Sequence, residues 1–244
     1  MKLKNFKLFV VILLFSTTAV ISLNHKRDFR VLHAGGWHTN NTKGYSNSIE
    51  ALSQNKQKSV FFELDLQITK DNRLVCLHDP NIDYLFYNQL DKKINKKLDC
   101  NDKSLFDFLE KNKHVKIITD FKTNNITGLT FLKKYGFNID RIYPQIYNLN
   151  NYEKVKKIGY KKIIFTLYRV PSNKINENLI NKILSKDLHA VTMNPPLLRK
   201  GFGLKIKEKN KKIIIYTYTV NSYYRFLMYK LLFGTDEIYT DRLF

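Results

Sequence analysis

From residue 29 onward, short apolar stretches of strand character alternate with stretches of helical character, and no Pro/Gly/Ser-rich linker interrupts them. Strand candidates fall at 29–32, 60–68, 74–77, 115–119, 142–146, 162–167, 190–193, 213–220 and 237–240. Helical stretches lie at about 47–56, 105–111, 129–135, 151–158, 176–185 and 222–233. Several starts carry capping residues (Ser46 or Asn47, Ser104, Asn151, Ser222), and three of the helices stop at Gly136, Gly159 and Gly234. Such alternation builds a parallel sheet with helical crossovers. At this scale, in a single core, it predicts a TIM-type (β/α)8 barrel over 29–244. The nine strand candidates exceed the eight that a barrel needs. The link between the second and third is also too short for a helix, so the expected barrel is irregular there.

That same irregular region carries the chemistry. The stretch from Val60 to Pro80 sets Glu63 and Asp65 in a run of Phe61, Phe62, Leu64, Leu66 and Ile68. Residues two apart on a strand share a face, so both carboxylates point one way while Phe62, Leu64 and Leu66 point the other. A Glu-x-Asp pair is ordinarily a solvated strand face. Here the apolar setting argues for enclosure, where unpaired carboxylates are costly. The next strand ends in His78-Asp79, the first ends in His33-Ala34-Gly35-Gly36, and the fourth ends in Asp120-Phe121-Lys122. In a barrel the ends of successive strands converge on one mouth, where active sites form. His33, Glu63, Asp65, His78, Asp120 and Lys122 are therefore the candidate site residues.

Residues 1–28 read as a targeting segment. Lys2, Lys4 and Lys7 precede an almost continuously apolar run from Leu8 to Leu23, which fits a signal peptide or an amino-terminal membrane anchor. The expected location is thus outside the cytoplasm, periplasmic or otherwise extracytoplasmic. In an oxidising compartment Cys76 and Cys100 could pair, although two unpaired thiols are the favoured reading because neither has the spacing of a redox or zinc motif. The formal net charge of +21, from 42 Lys+Arg against 21 Asp+Glu, suits phosphate esters and anionic lipid headgroups. No nucleic-acid recognition motif accompanies the charge, so nucleic acid is not an expected partner.

The motifs, taken together, resemble the glycerophosphodiester phosphodiesterase family. The resemblance rests on His33-Ala34-Gly35, Ser46-Asn47-Ser48, Glu63-Leu64-Asp65, Thr69-Lys70-Asp71-Asn72, His78-Asp79, Asp120-Phe121-Lys122, Tyr218-Thr219-Val220-Asn221 and Thr240-Asp241, in that order along the chain. It implies a TIM barrel that hydrolyses phosphodiesters with a divalent cation, Mg²⁺ or Ca²⁺. Glu63, Asp65 and Asp120 would be the metal ligands, His33 and His78 the acid–base pair, and Lys122 the phosphate contact. The chemistry is coherent in itself. Hard oxygen ligands suit these cations, a metal neutralises developing charge, and His transfers protons near neutral pH.

Three positions depart from the family pattern and mark a divergent His-Ala-Gly-Gly branch. Ala34 stands where an Arg would hold phosphate, so that contact must come from elsewhere or be weaker. Ser46 replaces a Glu. Asp120, one methylene shorter than the family's Glu, must approach the metal more closely or act through water. The expected substrates are glycerophosphodiesters or related lipid headgroups, with an anionic membrane surface as a further partner. The alternative is a catalytically silent barrel that binds phosphorylated glycan or lipid at the cell envelope.

Overall fold

The computed structural model describes residues 30–37, 46–57, 59, 61–79, 81–90, 92, 98–121 and 123–242. The targeting segment and Lys122 lie outside the described residues. The strands are β1 (Val31–Leu32), β2 (Phe61–Ile68), β3 (Leu74–Cys76), β4 (Lys116–Phe121), β5 (Ile142–Ile146), β6 (Ile164–Thr166), β7 (Ala190–Met193), β8 (Ile214–Thr217) and β9 (Glu237–Thr240). All but β3 pair in parallel, and the ring closes because β1 bonds to β2 on one side and to β9 on the other. This is the expected TIM barrel. The supernumerary strand is β3, which folds back antiparallel on β2, with Leu66 opposite Cys76 and Ile68 opposite Leu74.

The helices with described bounds are α1 (Ile49–Asn55), α2 (Asp102–Lys111), α3 (Asn125–Tyr135), α4 (Tyr152–Ile158), α5 (Glu177–Leu184), α6 (Pro195–Arg199), α7 (Phe202–Lys209) and α8 (Tyr223–Phe233). The cap of α1 is Ser48, not Ser46 or Asn47; its side chain accepts from the Ala51 amide at 3.1 Å. Helix α2 starts three residues earlier than expected. Its cap is Asn101, and Ser104 is the reciprocal partner, each side chain accepting from the other's backbone amide. Helices α6 and α7 were not anticipated. The Pro195-Pro196 pair reads as a stop, yet proline is well suited to a helix's first turn, and the Asn194 side chain caps it at Leu197.

Period-two alternation sorts the core into two shells. Outside the ring, Leu32, Phe62, Leu64, Leu66, Ile117 and Phe121 pack against Leu52, Leu105, Leu109, Leu129 and Leu132 of the helices. Helix α3 approaches β4 so closely that a Cβ on Gly128 would sit 2.2 Å from the Phe121 ring. Inside the ring, Val31, Phe61, Ile118, Tyr143, Ile164, Ala190, Tyr216 and Tyr239 form one apolar layer with one residue from each barrel strand. Two residues further along β2 the inward position is Glu63, and two further still it is Asp65. The apolar floor thus fixes the register at which the carboxylates enter the barrel.

Cys76 and Cys100 are joined in a disulfide, against the favoured reading of unpaired thiols. The bond spans a sequence separation of 24 and ties β3 to the approach to α2. Arg73 reinforces the same junction with a two-pronged pair to the buried Asp102. Spacing alone could not reveal the pairing, because the two cysteines are brought together by the antiparallel return of β3.

At the base of the barrel His189 lies edge-on to Tyr143, with ring centroids 5.1 Å apart. Burial, aided by Lys162 and Lys116, lowers its pKa to about 4. The unfolded chain takes up this proton below about pH 6.5. The folded chain does so only near pH 4, so stability is lost as pH falls through that window. The ring is partly exposed, which reduces the effect to about 1–2 kcal/mol. His189→Gln is expected to shrink the loss of unfolding free energy between pH 6.5 and pH 4 by that amount, as read by urea denaturation at both pH values.

Candidate active site

Parallel pairing of β2 with β4 sets Asp65 directly opposite Asp120. With Glu63 two residues back on the same face, the three carboxylates converge, and their ligand atoms lie within 4.8 Å of one another. All three are buried, at 3%, 1% and 7% exposure. Each has a dedicated support. The Ala34 amide donates to Glu63 Oε2 at 2.9 Å. Asn47 bridges Asp65, donating to its carboxylate at 2.8 Å and accepting from its amide at 3.0 Å. The Tyr147 hydroxyl donates to Asp120. Ala34 and Asn47 hold φ values of 49° and 43°, left-handed backbone that costs a non-glycine residue about 1 kcal/mol or more. Both conformations aim a hydrogen-bond donor at a carboxylate.

Burial, followed by the nearby Asp65 charge, pushes Glu63 up to about 8, while His33 opposes the shift. Three enclosed carboxylates sharing one small volume repel one another, and a divalent cation would relieve that repulsion. The all-oxygen donor set and its convergence fit a hard cation.

His33 follows directly from β1. Its Nδ1 donates to Asp241 Oδ1 at 2.8 Å, and its Nε2 lies 3.9 Å from Glu63 Oε2. Asp241 follows β9 and is itself clamped. Asn221 accepts from the Asp241 amide at 2.8 Å, donates to its second carboxylate oxygen, and accepts from the Thr240 hydroxyl at 3.0 Å. Burial alone would lower the His33 pKa, but the Asp241 hydrogen bond and the Glu63 charge outweigh it and raise the imidazole to about 9. His78 follows β3. Leu77 donates to the Asp65 carbonyl at 2.9 Å, and Gln67 donates to the Leu77 carbonyl at 2.9 Å. Its Nδ1 faces Asp79, and its side chain is 41% exposed at the rim.

His33, Glu63, Asp65, His78 and Asp120 all line one cavity of about 420 Å³. Five of the six candidate residues are thereby brought together; Lys122 lies outside the described residues. Trp37 does not line this cavity; its ring sits beneath the Arg242 guanidinium. Tyr218 is cavity wall, and Tyr216 belongs to the apolar floor. Ser46 takes a structural part, donating to the Ala34 and Gly36 carbonyls and so pinning the turn that delivers His33. Residue-type reasoning passed over Asp241, Asn221, Asn47, Tyr147 and Arg169. The first three lie in the quoted motifs; Tyr147 and Arg169 carry no sequence signal.

The barrel mouth thus gathers a buried carboxylate triad and two histidines around one cavity, a set whose chemistry suits an anionic ester. The Glycerophosphoryl diester phosphodiesterase family model matches residues 33–90, the stretch bearing His33, Glu63, Asp65 and His78. The matched stretch is about a quarter of the chain and resembles the corresponding part of that family. Solved structures share the fold across nearly their whole length. A glycerophosphodiester phosphodiesterase from Parabacteroides distasonis is 16% identical with a TM-score of 0.68, covering 88% of this chain and 93% of that one. One from Thermotoga maritima is 17% identical with a TM-score of 0.66, over 89% and 95%. A putative glycerophosphodiester phosphodiesterase from Galdieria sulphuraria is 14% identical with a TM-score of 0.68, over 88% and 94%. No curated protein sequence matches the chain significantly.

Proposed function

We propose that this protein hydrolyses glycerophosphodiesters or related lipid headgroups, using Glu63, Asp65 and Asp120 to hold a divalent cation and His33 and His78 to exchange protons. The observation that carries the reading is the convergence of both histidines and all three carboxylates on one cavity. When bound, Mg²⁺ or Ca²⁺ supplies positive charge against the phosphoryl oxygens. Each histidine presents Nδ1 to an aspartate, which leaves Nε2 as the atom that gives or takes the proton. One imidazole accepts a proton from the attacking water as its oxygen bonds to phosphorus. The other donates a proton to the alkoxide oxygen as the bond from phosphorus to the leaving alcohol breaks.

The phosphate needs a cationic partner from the protein as well, and Ala34 supplies none. Arg169 is the one Lys or Arg among the described residues lining the cavity. Its guanidinium sits 4.4 Å over the ring of Tyr147, whose hydroxyl bonds Asp120. This supports Arg169 as the group that engages the substrate phosphate, with the buried, unpartnered Tyr218 hydroxyl as a further donor. Arg169→Ala is expected to raise KM about tenfold, the value of one charge-assisted hydrogen bond, with kcat little changed. An unchanged KM would remove Arg169 from the substrate contact.

The same reading puts the barrel outside the cytoplasm. The apolar run within residues 1–28 supports export, and the Cys76–Cys100 disulfide supports an oxidising compartment. The test of function is release of glycerol phosphate from a panel of glycerophosphodiesters with Mg²⁺, Ca²⁺ or EDTA. Turnover that requires a cation is expected. Tight binding of a phosphodiester with no turnover in either cation would overturn hydrolysis in favour of a silent binding barrel.

A further inference from the structure

Helix α8 buries Phe226 and Tyr229 against the barrel but leaves Tyr224, Met228, Leu231 and Leu232 exposed, at 82%, 39%, 57% and 56%. These four fall at i, i+4, i+7 and i+8, a single apolar stripe along the helix. Leu204 of α7 extends it at the lower end. Its side chain lies against Gly234, where α8 stops, and is 39% exposed. Contiguous apolar surface of this kind on a water-facing helix marks a docking face.

Two observations say what covers it. First, the stripe is embedded in positive charge. Between Pro195 and Gly234 the sequence has nine Lys or Arg and one acid, Glu208. Lys200, Lys205, Arg225 and Lys230 are exposed there. Second, the chain enters the barrel beside this helix, since the Arg30 guanidinium lies 5.9 Å over the Phe226 ring. In the sequence, the apolar run from Leu8 to Leu23 ends seven residues before Arg30.

We propose that α8, with Leu204, seats on the surface of an anionic lipid bilayer. The four apolar side chains enter the headgroup boundary, and the flanking Lys and Arg pair with lipid phosphates and carboxylates. Helix α8 begins just after Asn221, which clamps Asp241 at the mouth, and ends at Gly234 on the opposite end of the barrel. The stripe therefore runs along the barrel axis, and a bilayer against it leaves the catalytic cavity opening sideways, along the membrane plane.

The experiment uses the full chain with Tyr224→Trp, its emission read against the parent protein to subtract Trp37. Vesicles of phosphatidylserine in phosphatidylcholine are expected to shift the emission to the blue, and brominated acyl chains to quench it. Phosphatidylcholine alone, or salt of about 1 M, where the screening length is about 3 Å, is expected to weaken both signals. Adding Leu231→Ser and Leu232→Ser is expected to lower partition about tenfold or more, at an unchanged melting temperature. Emission unaltered by anionic vesicles that nevertheless sediment the protein would overturn the proposal. So would emission already blue-shifted without lipid. If that shift were independent of protein concentration, the chain's own apolar run would be the occupant; if it grew with concentration, a second copy would be.

Discussion

His33→Ala is expected to lower kcat/KM on the best glycerophosphodiester by about a thousandfold, within the range that general acid–base groups supply. The geometry gives this histidine two attachments with different jobs. Asp241 holds Nδ1 at 2.8 Å, and Nε2 is directed toward Glu63 at 3.9 Å. Asp241→Asn keeps the shape but presents an amide where the imidazole needs an acceptor, so a smaller loss of about tenfold to a hundredfold follows from misorientation. His78→Ala is expected to match His33→Ala, and the double variant to be little worse than either single one, because the two protons move in one reaction. Steady-state kinetics at saturating cation, beside a thermal melt, checks all four. Full activity in His33→Ala at an unaltered fold would end the acid–base reading.

The second large effect has opposite signs in its two readouts. Glu63→Gln should abolish turnover and weaken Mg²⁺ or Ca²⁺ binding on the order of a hundredfold, since charged oxygen ligands set affinity. In the metal-free protein the same change should stabilise the fold by about 1–2 kcal/mol. It removes a carboxyl that burial raises to about 8, which near neutral pH must be either protonated or buried charged beside Asp65 and Asp120, while the new amide oxygen can still accept from the Ala34 amide. The wild-type protein should gain melting temperature when cation is added, through preferential binding to the folded state, and the variant should need about a hundredfold more cation for the same gain. Calorimetric titration and paired melts with and without EDTA read both signs. A variant that melts below the wild type without metal, or that gains from cation at the same concentration as the wild type, would show that the triad is not a cation site.

The alternation of strands and helices was enough to specify the barrel, because the strands are short apolar runs and the helices between them are longer, capped and largely polar on their outer face, α8 excepted. Even the misfit was legible: the five-residue link after Ile68 is too short for a crossover, and β3 returns antiparallel there. The inward placement of Glu63 and Asp65 follows from parity alone. The remainder escaped for physical reasons. Asp241 gains its role only when β9 closes against β1, a contact across 208 positions that no local pattern encodes. Asn47 works through a left-handed backbone, and Arg169 through a loop that carries it over Tyr147. Helices α6 and α7 were hidden by a proline pair that ends one element and begins the next.

The seam between β1 and β9 has a consequence for when this protein can act. His33 stands on the first strand of the ring and Asp241 beyond the last, so the dyad exists only in a chain whose two ends have met. A folding intermediate lacking β9 would already gather Glu63, Asp65 and Asp120, yet would leave the imidazole unsteered. The pairing of β9 with β1 therefore does more than close the ring: it delivers the carboxylate that steers the imidazole, so closure of the barrel and orientation of His33 are one structural event.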